Sequence, residues 1–290
     1  MEAMSLKSLI VPSLNQYPLT GKIPSTVEGE RIPRIIHQTY YQEPLPPALA
    51  DNVDRIKALN PSWEYRFYND ADIVDFIASN FPAEVLVYFE RINPHYGAAR
   101  ADFFRYLVMY KVGGVYLDIK STALLPLDTV IRSADRFILS TWDSGHEGWG
   151  KHHELKKIGG TEYQQWFIAS APGHPFMRNV IEHVMRNIDN YVPSLHGHGK
   201  PAVLRVTGPI AYSLAIHPML ARCPHRIVDS QSDLGFQYSV FNGNTHKAAF
   251  KTHYSVQTHP LVRLTPSRRY ASHLLGALQK TLHALQRLRK

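Results

Sequence analysis

The segment that most restricts this chain is "ARADFFRYLVMYKVGGVYLDIKST", residues 99–122. Phe103, Phe104, Leu107 and Val108 recur at helical spacing. Gly113 and Gly114 then break the pattern, and a short apolar run, "VYL", follows at once. An apolar helix that runs through glycines into an apolar strand belongs in a layered α/β protein, where the helix covers the sheet.

The rest of the chain agrees. "RIPRIIHQTY" reads as a buried strand with Pro33 near its start, where a missing donor is tolerated. "PPALADNVDRIKALN" reads as a helix that starts at Pro47 and stops at Asn60-Pro61. "WEYRFYN" alternates as a strand, and Asn69 or Asp70 caps the helix "ADIVDFIASN". A short helix near 82–91, strands in "RFILSTW" and "QQWFIASAP", and helices begun by Pro175 and Pro209 complete the pattern. Strands alternating with helices predict a mainly parallel sheet. Residues 1–30 have weak periodicity and read as a loosely packed arm, and "PSLHGHGKP" reads as a polar loop.

Of 290 residues, 44% are hydrophobic and 19% are charged, so the chain can bury a sizeable core. One cysteine, Cys223, excludes an internal disulfide framework and fits a reducing compartment. No run approaches the ~18–20 apolar residues of a membrane-spanning helix, and the start lacks a secretory apolar region. The expectation is a cytoplasmic enzyme.

The net charge of +8 is unevenly placed: no acid follows Asp233, and nine bases do, which leaves 23 bases against 24 acids in residues 1–233. A neutral body argues against a nucleic-acid coat and for a local anionic partner. Residues 266–290 carry six of those bases, with Leu274, Leu275, Leu278, Leu282, Leu285 and Leu288 near one stripe. Two readings stand: a basic amphipathic helix on an anionic membrane surface, or a helix that docks its leucines on the body. Gly276 weakens that helix by about 1 kcal/mol relative to alanine.

The strand after the glycines delivers Asp118 and Lys120. Ligands of open α/β sheets bind outside the carboxyl ends of strands. Two residues apart on extended chain, the two side chains face the same way. A carboxylate there can hold a hard cation that clamps a diphosphate. An ammonium can neutralise the diphosphate directly. The alternative reading is a surface strand end with a loose ion pair. Asp102 and Arg105, three apart on the helix, share a face, with Arg100 near the helix start. They read either as a surface ion pair, which contributes about 0–1 kcal/mol, or as a hydroxyl-binding carboxylate beside an anion-binding guanidinium. Elsewhere, His196 and His198 in "LHGHG" read as a mobile loop or a two-histidine metal arm. Trp142 and Trp149 read as core residues or sugar-stacking platforms.

Five stretches, "IPRIIHQTY", "NPSWEYRFYND", "ARADFFRYLVMYKVGGVYLDIKS", "APGHPFM" and "VTGP", resemble the DXD-containing glycosyltransferases of the capsular-polysaccharide and yeast-mannosyltransferase-like family, glycosyltransferase family 32. They are more distantly similar to the clostridial toxin glucosyltransferases. The resemblance implies a GT-A (Rossmann-like) α/β fold, with a donor-binding part at about 31–140 and an acceptor-side part at about 141–265. It implies transfer of a sugar, with retention, from a UDP- or GDP-sugar to a glycan or lipid-linked glycan, in surface or capsular polysaccharide synthesis. His37, Gln38 and Thr39 would border the nucleotide. Arg100, Asp102, Arg105, Tyr116 and Lys120 would hold the donor, with Asp102 and Asp118 catalytic. Asp118 matches the first aspartate of the DXD motif, and Lys120 stands where the family has the second. The resemblance therefore leaves two versions: Mn²⁺ or Mg²⁺ on Asp118 and His253, or Lys120 in place of the cation. A scaffold that binds glycan or anionic lipid without transfer is the non-enzymatic alternative.

Overall fold

The computed structural model describes residues 13–15, 19–41, 43–142, 150–241, 254–266 and, further on, 269, 270, 272, 274–277 and 281. Six strands form one sheet in the order β2-β1-β3-β6-β5-β7. Strand β1 (Ile35–Thr39) runs parallel to β2 (Glu64–Tyr68) and to β3 (Gly114–Leu117). Strand β5 (Phe137–Leu139) runs parallel to β7 (Arg226–Ile227). Strand β6 (Phe167–Ser170), between β3 and β5, is antiparallel to both. The sheet is thus mainly parallel, as the alternation of elements predicts, with one reversed strand. It draws strands from both sides of residue 140. A separate antiparallel ribbon joins β4 (Thr122–Ala123) to β8 (Phe236–Gln237).

The helices follow the local signals. Helix α1 (Pro47–Leu59) begins on proline, and Asn69 caps α2 (Asp70–Asn80) in a reciprocal box with Asp72. Helix α3 (Ala83–Arg91) leads to α4 (Gly97–Lys111), the helix before the glycine pair. A one-turn helix α5 (Leu127–Val130) precedes α6 (Pro175–Asn190). The segment read as a polar loop folds instead into α7 (Pro193–His196) and the start of α8 (Gly199–Val206), because Pro193 opens a turn and Gly197, at φ +83°, closes it. Helix α9 (Pro209–Ile216) follows.

Two apolar layers flank the sheet. On one face Tyr116 and Ile168 meet Phe103, Phe104, Leu107 and Val108 of α4 and Phe176 and Ile181 of α6. On the other, Val115, Leu117, Ile36, Phe167 and Phe236 pack together. The alternation of Val115, Tyr116 and Leu117 between the layers is the two-residue period of a strand. Sequence spacing shows α4 as a helix with one apolar stripe, but residues 102–110 are buried all round. The sheet covers one side of α4 and α6 the other, so Asp102 and Arg105 are interior rather than surface residues.

The glycine pair allows that sandwich. Gly113 (φ +71°) and Gly114 (φ +108°) have backbone angles that L side chains rarely adopt. A Cβ on Gly113 would lie 2.6 Å from the Pro172 nitrogen, and one on Gly114 would lie 2.5 Å from the Ile35 oxygen.

The arm is not loose where it is described. The Glu182 carboxylate accepts from the Gly21 and Ile23 backbone N–H groups at 2.8 and 2.7 Å and from the Thr20 hydroxyl. Ile23 is wholly buried, and Gly29 N–H donates to Pro172 O at 2.8 Å. Weak periodicity therefore reflects an extended strap held by hydrogen bonds, which carries no helical or strand period. In the described part of the tail, Ser194 Oγ donates to Ser272 O at 2.9 Å, while Leu274 is 56% exposed. Among the described residues no helix is long and apolar enough to cross a membrane.

Candidate active site

The geometry follows from element lengths. From Gly114 to Asp118 the strand advances roughly 13 Å, and nine helical residues back from Lys111 advance about the same, so Asp118 comes level with the Asp102 turn of α4. Because β6 is antiparallel to β3, the residues just before β6 lie beside the end of β3, and Asp118 N–H donates to Trp166 O at 2.8 Å. Three segments distant in sequence meet there: the first half of α4, the end of β3 and residues 164–166.

At their junction Arg105 Nη2 lies 2.9 Å from Asp118 Oδ1 and 3.3 Å from Asp102 Oδ1. Arg105 Nη1 also donates to Gln165 O at 2.7 Å and to Gln165 Oε1 at 3.0 Å. The guanidinium lies 4.8 Å from the centre of the Tyr116 ring. Asp102 is held from behind: Gln165 Nε2 donates to Oδ1 at 3.1 Å and Thr207 Oγ1 to Oδ2 at 2.9 Å. Tyr106 OH fixes that layer by donating to Thr207 O at 2.8 Å. Asp118 is the outermost member, with a side chain 22% exposed against 5% for Asp102 and for Arg105.

Burial pushes the Asp102 carboxyl above the ordinary carboxylate range, and Arg105, Gln165 and Thr207 offset part of the rise. Burial pulls the Arg105 guanidinium down, but Asp118, Tyr116 and Asp102 outweigh it and hold the group firmly protonated.

Lys120 does not reach the site by strand alternation. The strand ends at Leu117 and the chain turns, with Ser121 N–H donating to Asp118 O at 2.7 Å. Gln38 Nε2 supports the same oxygen at 3.2 Å, and Tyr65 OH holds Gln38 Oε1 at 2.9 Å. The incoming segment after β8 closes the turn: Val240 N–H donates to Lys120 O at 2.8 Å and Ser121 Oγ to Tyr238 O at 2.7 Å. This register sets the Lys120 ammonium 3.8 Å over the Tyr238 ring. Burial lowers the Lys120 pKa, Asp118 raises it and Arg105 lowers it again. Trp142 and Trp166 pack edge-on against Tyr238 at 5.5 and 5.6 Å.

The structure therefore brings together Asp102, Arg105, Asp118 and Lys120. It places the other expected residues differently. His37 is fully buried: Nδ1 pairs with Tyr68 OH at 3.0 Å and Nε2 with Gly113 O at 2.9 Å. Desolvation brings its pKa down to about 4. It locks β1 to the glycine turn instead of facing a ligand. Gln38 supports the Asp118 turn, and Thr39 Oγ1 donates to Tyr68 O at 2.8 Å. Tyr116 lies inside the sheet beneath Arg105. Arg100 points away toward α3, its guanidinium 4.2 Å from the Phe89 ring centre. His196 Nδ1 accepts from Val192 N–H at 2.9 Å, and His198 precedes α8, so the two serve the turn. Trp142 Nε1 donates to Glu162 Oε1 at 2.7 Å. His253 and Trp149 lie outside the described residues. Sequence reasoning missed Gln165, Thr207 and Tyr238. Only Thr207 carried a signal, in the "VTGP" stretch.

The residues present fit a divalent cation poorly. Such an ion takes several oxygen ligands, whereas Asp118 spends one oxygen on Arg105 and the side chain two residues on, Lys120, is an ammonium and not a carboxylate. Among the described residues no three His, Cys, Asp or Glu side chains converge.

Residues 46–137 match the family described as the glycosyltransferase sugar-binding region containing DXD motif. The match runs from α1 to the first residue of β5 and includes Asp102, Arg105, Asp118 and Lys120. Inositol phosphoceramide mannosyltransferase 1 of Schizosaccharomyces pombe is 25% identical over 189 residues, 64% of this chain and 51% of that protein. The initiation-specific alpha-1,6-mannosyltransferase of Candida albicans is 28% identical over 135 residues, 42% of this chain and 33% of that protein. Among solved structures, the PaToxG glycosyltransferase is similar with a TM-score of 0.49 at 14% identity, covering 66% of this chain and 71% of that one. The chain spans about half the length of the first curated relatives it matches.

Proposed function

We propose that this chain, a homologue of the DXD glycosyltransferases, moves a sugar from a nucleotide-sugar donor to a glycan or lipid-linked glycan acceptor. The observation that carries the reading is the buried Asp102–Arg105–Asp118 relay within the matched region, ending in a solvent-facing carboxylate beside the Lys120 ammonium at the carboxyl end of β3. Donor-sugar hydroxyls bind Asp118, and the diphosphate lies on the Lys120 side. Arg105 fixes the Asp118 carboxylate, and Asp102 acts behind it as a positioning residue. Rate comes from orientation and from stabilising charge on the departing diphosphate. Asp102 has both oxygens bonded within the protein and Asp118 is paired to Arg105, so neither is a free nucleophile. Attack on the face from which the diphosphate leaves needs none and gives retention.

The mannosyltransferase relatives support a hexose donor, and one acts by name on a phosphoceramide lipid. We extend this to an acceptor at the cytoplasmic membrane face, with the basic residues of 266–290 against anionic lipid. A chain ending at Thr265 then loses co-sedimentation with anionic vesicles, and unchanged binding refutes that part. For the reaction itself the test is a thermal-shift screen of nucleoside diphosphates, followed by mass spectrometry with UDP- and GDP-hexoses. The anomeric configuration of the product is read by NMR. A shift by one nucleotide and transfer of its sugar support the reading, whereas no response to any nucleotide refutes it.

A further inference from the structure

We infer that Lys120 stands in for the divalent cation, so that this protein holds its donor diphosphate by an ammonium group and without a metal. The inference rests on the nucleotide-sugar reading and adds which group carries the leaving charge.

Three observations carry it. The first is the state of Lys120 itself. The residue is 9% exposed, yet among the described residues its ammonium makes no hydrogen bond and no ion pair; it rests 3.8 Å over the Tyr238 ring. A buried cation that no anion contacts is costly, and a ring face compensates only in part. An anionic ligand completes the site. The ammonium is also positioned rather than free to wander, because the Val240–Lys120 and Ser121–Tyr238 hydrogen bonds fix its turn and its ring in one register.

The second is the state of Asp118. Its Oδ1 accepts from Arg105 at 2.9 Å. Arg105 cannot easily swing aside, since Gln165 holds it twice and Asp102 once. A dication on Asp118 would sit beside this fixed guanidinium and the Lys120 ammonium, both of its own sign. The third is charge. Replacing an aspartate by a lysine changes the site by two unit charges, which is the charge of the ion it would displace. Asp102 and Asp118 against Arg105 and Lys120 already balance. The positive charge that a two-aspartate site borrows from a metal is here built into the chain.

The test is calorimetric titration of the full chain with UDP and with GDP, in excess EDTA and again with added Mn²⁺. The dissociation constant of the preferred nucleotide is expected to agree within about twofold between the two buffers. Lys120→Met keeps a stem over Tyr238 but removes the charge, and in EDTA it is expected to bind at least about tenfold more weakly. Circular dichroism shows whether that variant is folded; if it is not, the wild-type comparison in the two buffers still decides. Binding by the wild type only when Mn²⁺ is present overturns the inference and leaves the glycosyltransferase reading standing. Unchanged binding by folded Lys120→Met also overturns it. If neither nucleotide binds in either buffer, the donor reading falls and this inference falls with it.

Discussion

Replacing Arg105 by methionine isolates what the buried relay contributes. The guanidinium, 5% exposed, bonds Asp118 at 2.9 Å, Asp102 at 3.3 Å and Gln165 O at 2.7 Å. Methionine fills much of the volume and makes none of these bonds. Asp118 can turn to water, but Asp102 cannot, and it remains buried with only Gln165 and Thr207 as donors. Leaving one partner of a buried pair uncompensated costs about 3–5 kcal/mol. For a chain of this size that lowers Tm by about 5–8 °C. The pH dependence gives a second check. Burial already raises the Asp102 pKa, and Arg105 is the largest opposing influence, so the variant's Asp102 pKa is higher still. An acid whose folded pKa exceeds its unfolded value takes up protons on folding, so its cost is relieved as pH falls through the folded pKa. The stability gap between wild type and Arg105→Met is therefore largest at neutral pH and narrows in mild acid. Equilibrium urea unfolding of both proteins across that range measures it. A gap below about 1 kcal/mol at neutral pH, the size expected of an exposed pair, rules out the buried relay, as does a gap that does not change with pH.

Other perturbations test the supports of the site. Thr207→Val removes one hydrogen bond to a buried carboxylate and is expected to cost about 1.5–3 kcal/mol in denaturant unfolding, while Thr207→Ser costs little. Gly114→Ala forces a Cβ to 2.5 Å from Ile35 O at a φ of +108° and is expected to cost about 2–4 kcal/mol by the same measurement. His37 has a folded pKa of about 4 against an ordinary 6.5, so the stability it contributes is complete above 6.5 and is lost as pH falls through 4. The full loss is about 3 kcal/mol, and His37→Gln is expected to lack that part of the acid sensitivity in pH-resolved unfolding.

Local chemistry made the order of elements readable. Pro47, the Asn69 cap and the glycine pair mark boundaries that the structure keeps, because each acts within one turn of chain. The pairing of Asp102 with Arg105 was legible from helical spacing, but its burial was not, since spacing shows which residues share a face and not what covers it. The surroundings of Lys120 were illegible for a different reason. Tyr238 reaches it from more than a hundred residues away through the β4–β8 ribbon, whose strands are two residues long and leave almost no periodic trace. Gln165 and Thr207 reach Asp102 across 63 and 105 residues of chain. His37 shows the opposite case: the family resemblance implies a place beside the nucleotide, whereas its two hydrogen bonds hold the fold.

The proposed function stands on the carboxyl end of β3 being a nucleotide-sugar site organised by Asp118. The direct measurement is sugar transfer and donor affinity for wild type and Asp118→Asn, with the donor identified by the nucleotide screen. Asparagine keeps an oxygen for Arg105 and removes the charge, so the fold is retained. Donor affinity and transfer are both expected to fall by about tenfold or more. Asp118→Asn that binds the donor and transfers its sugar as well as wild type would contradict the proposed function.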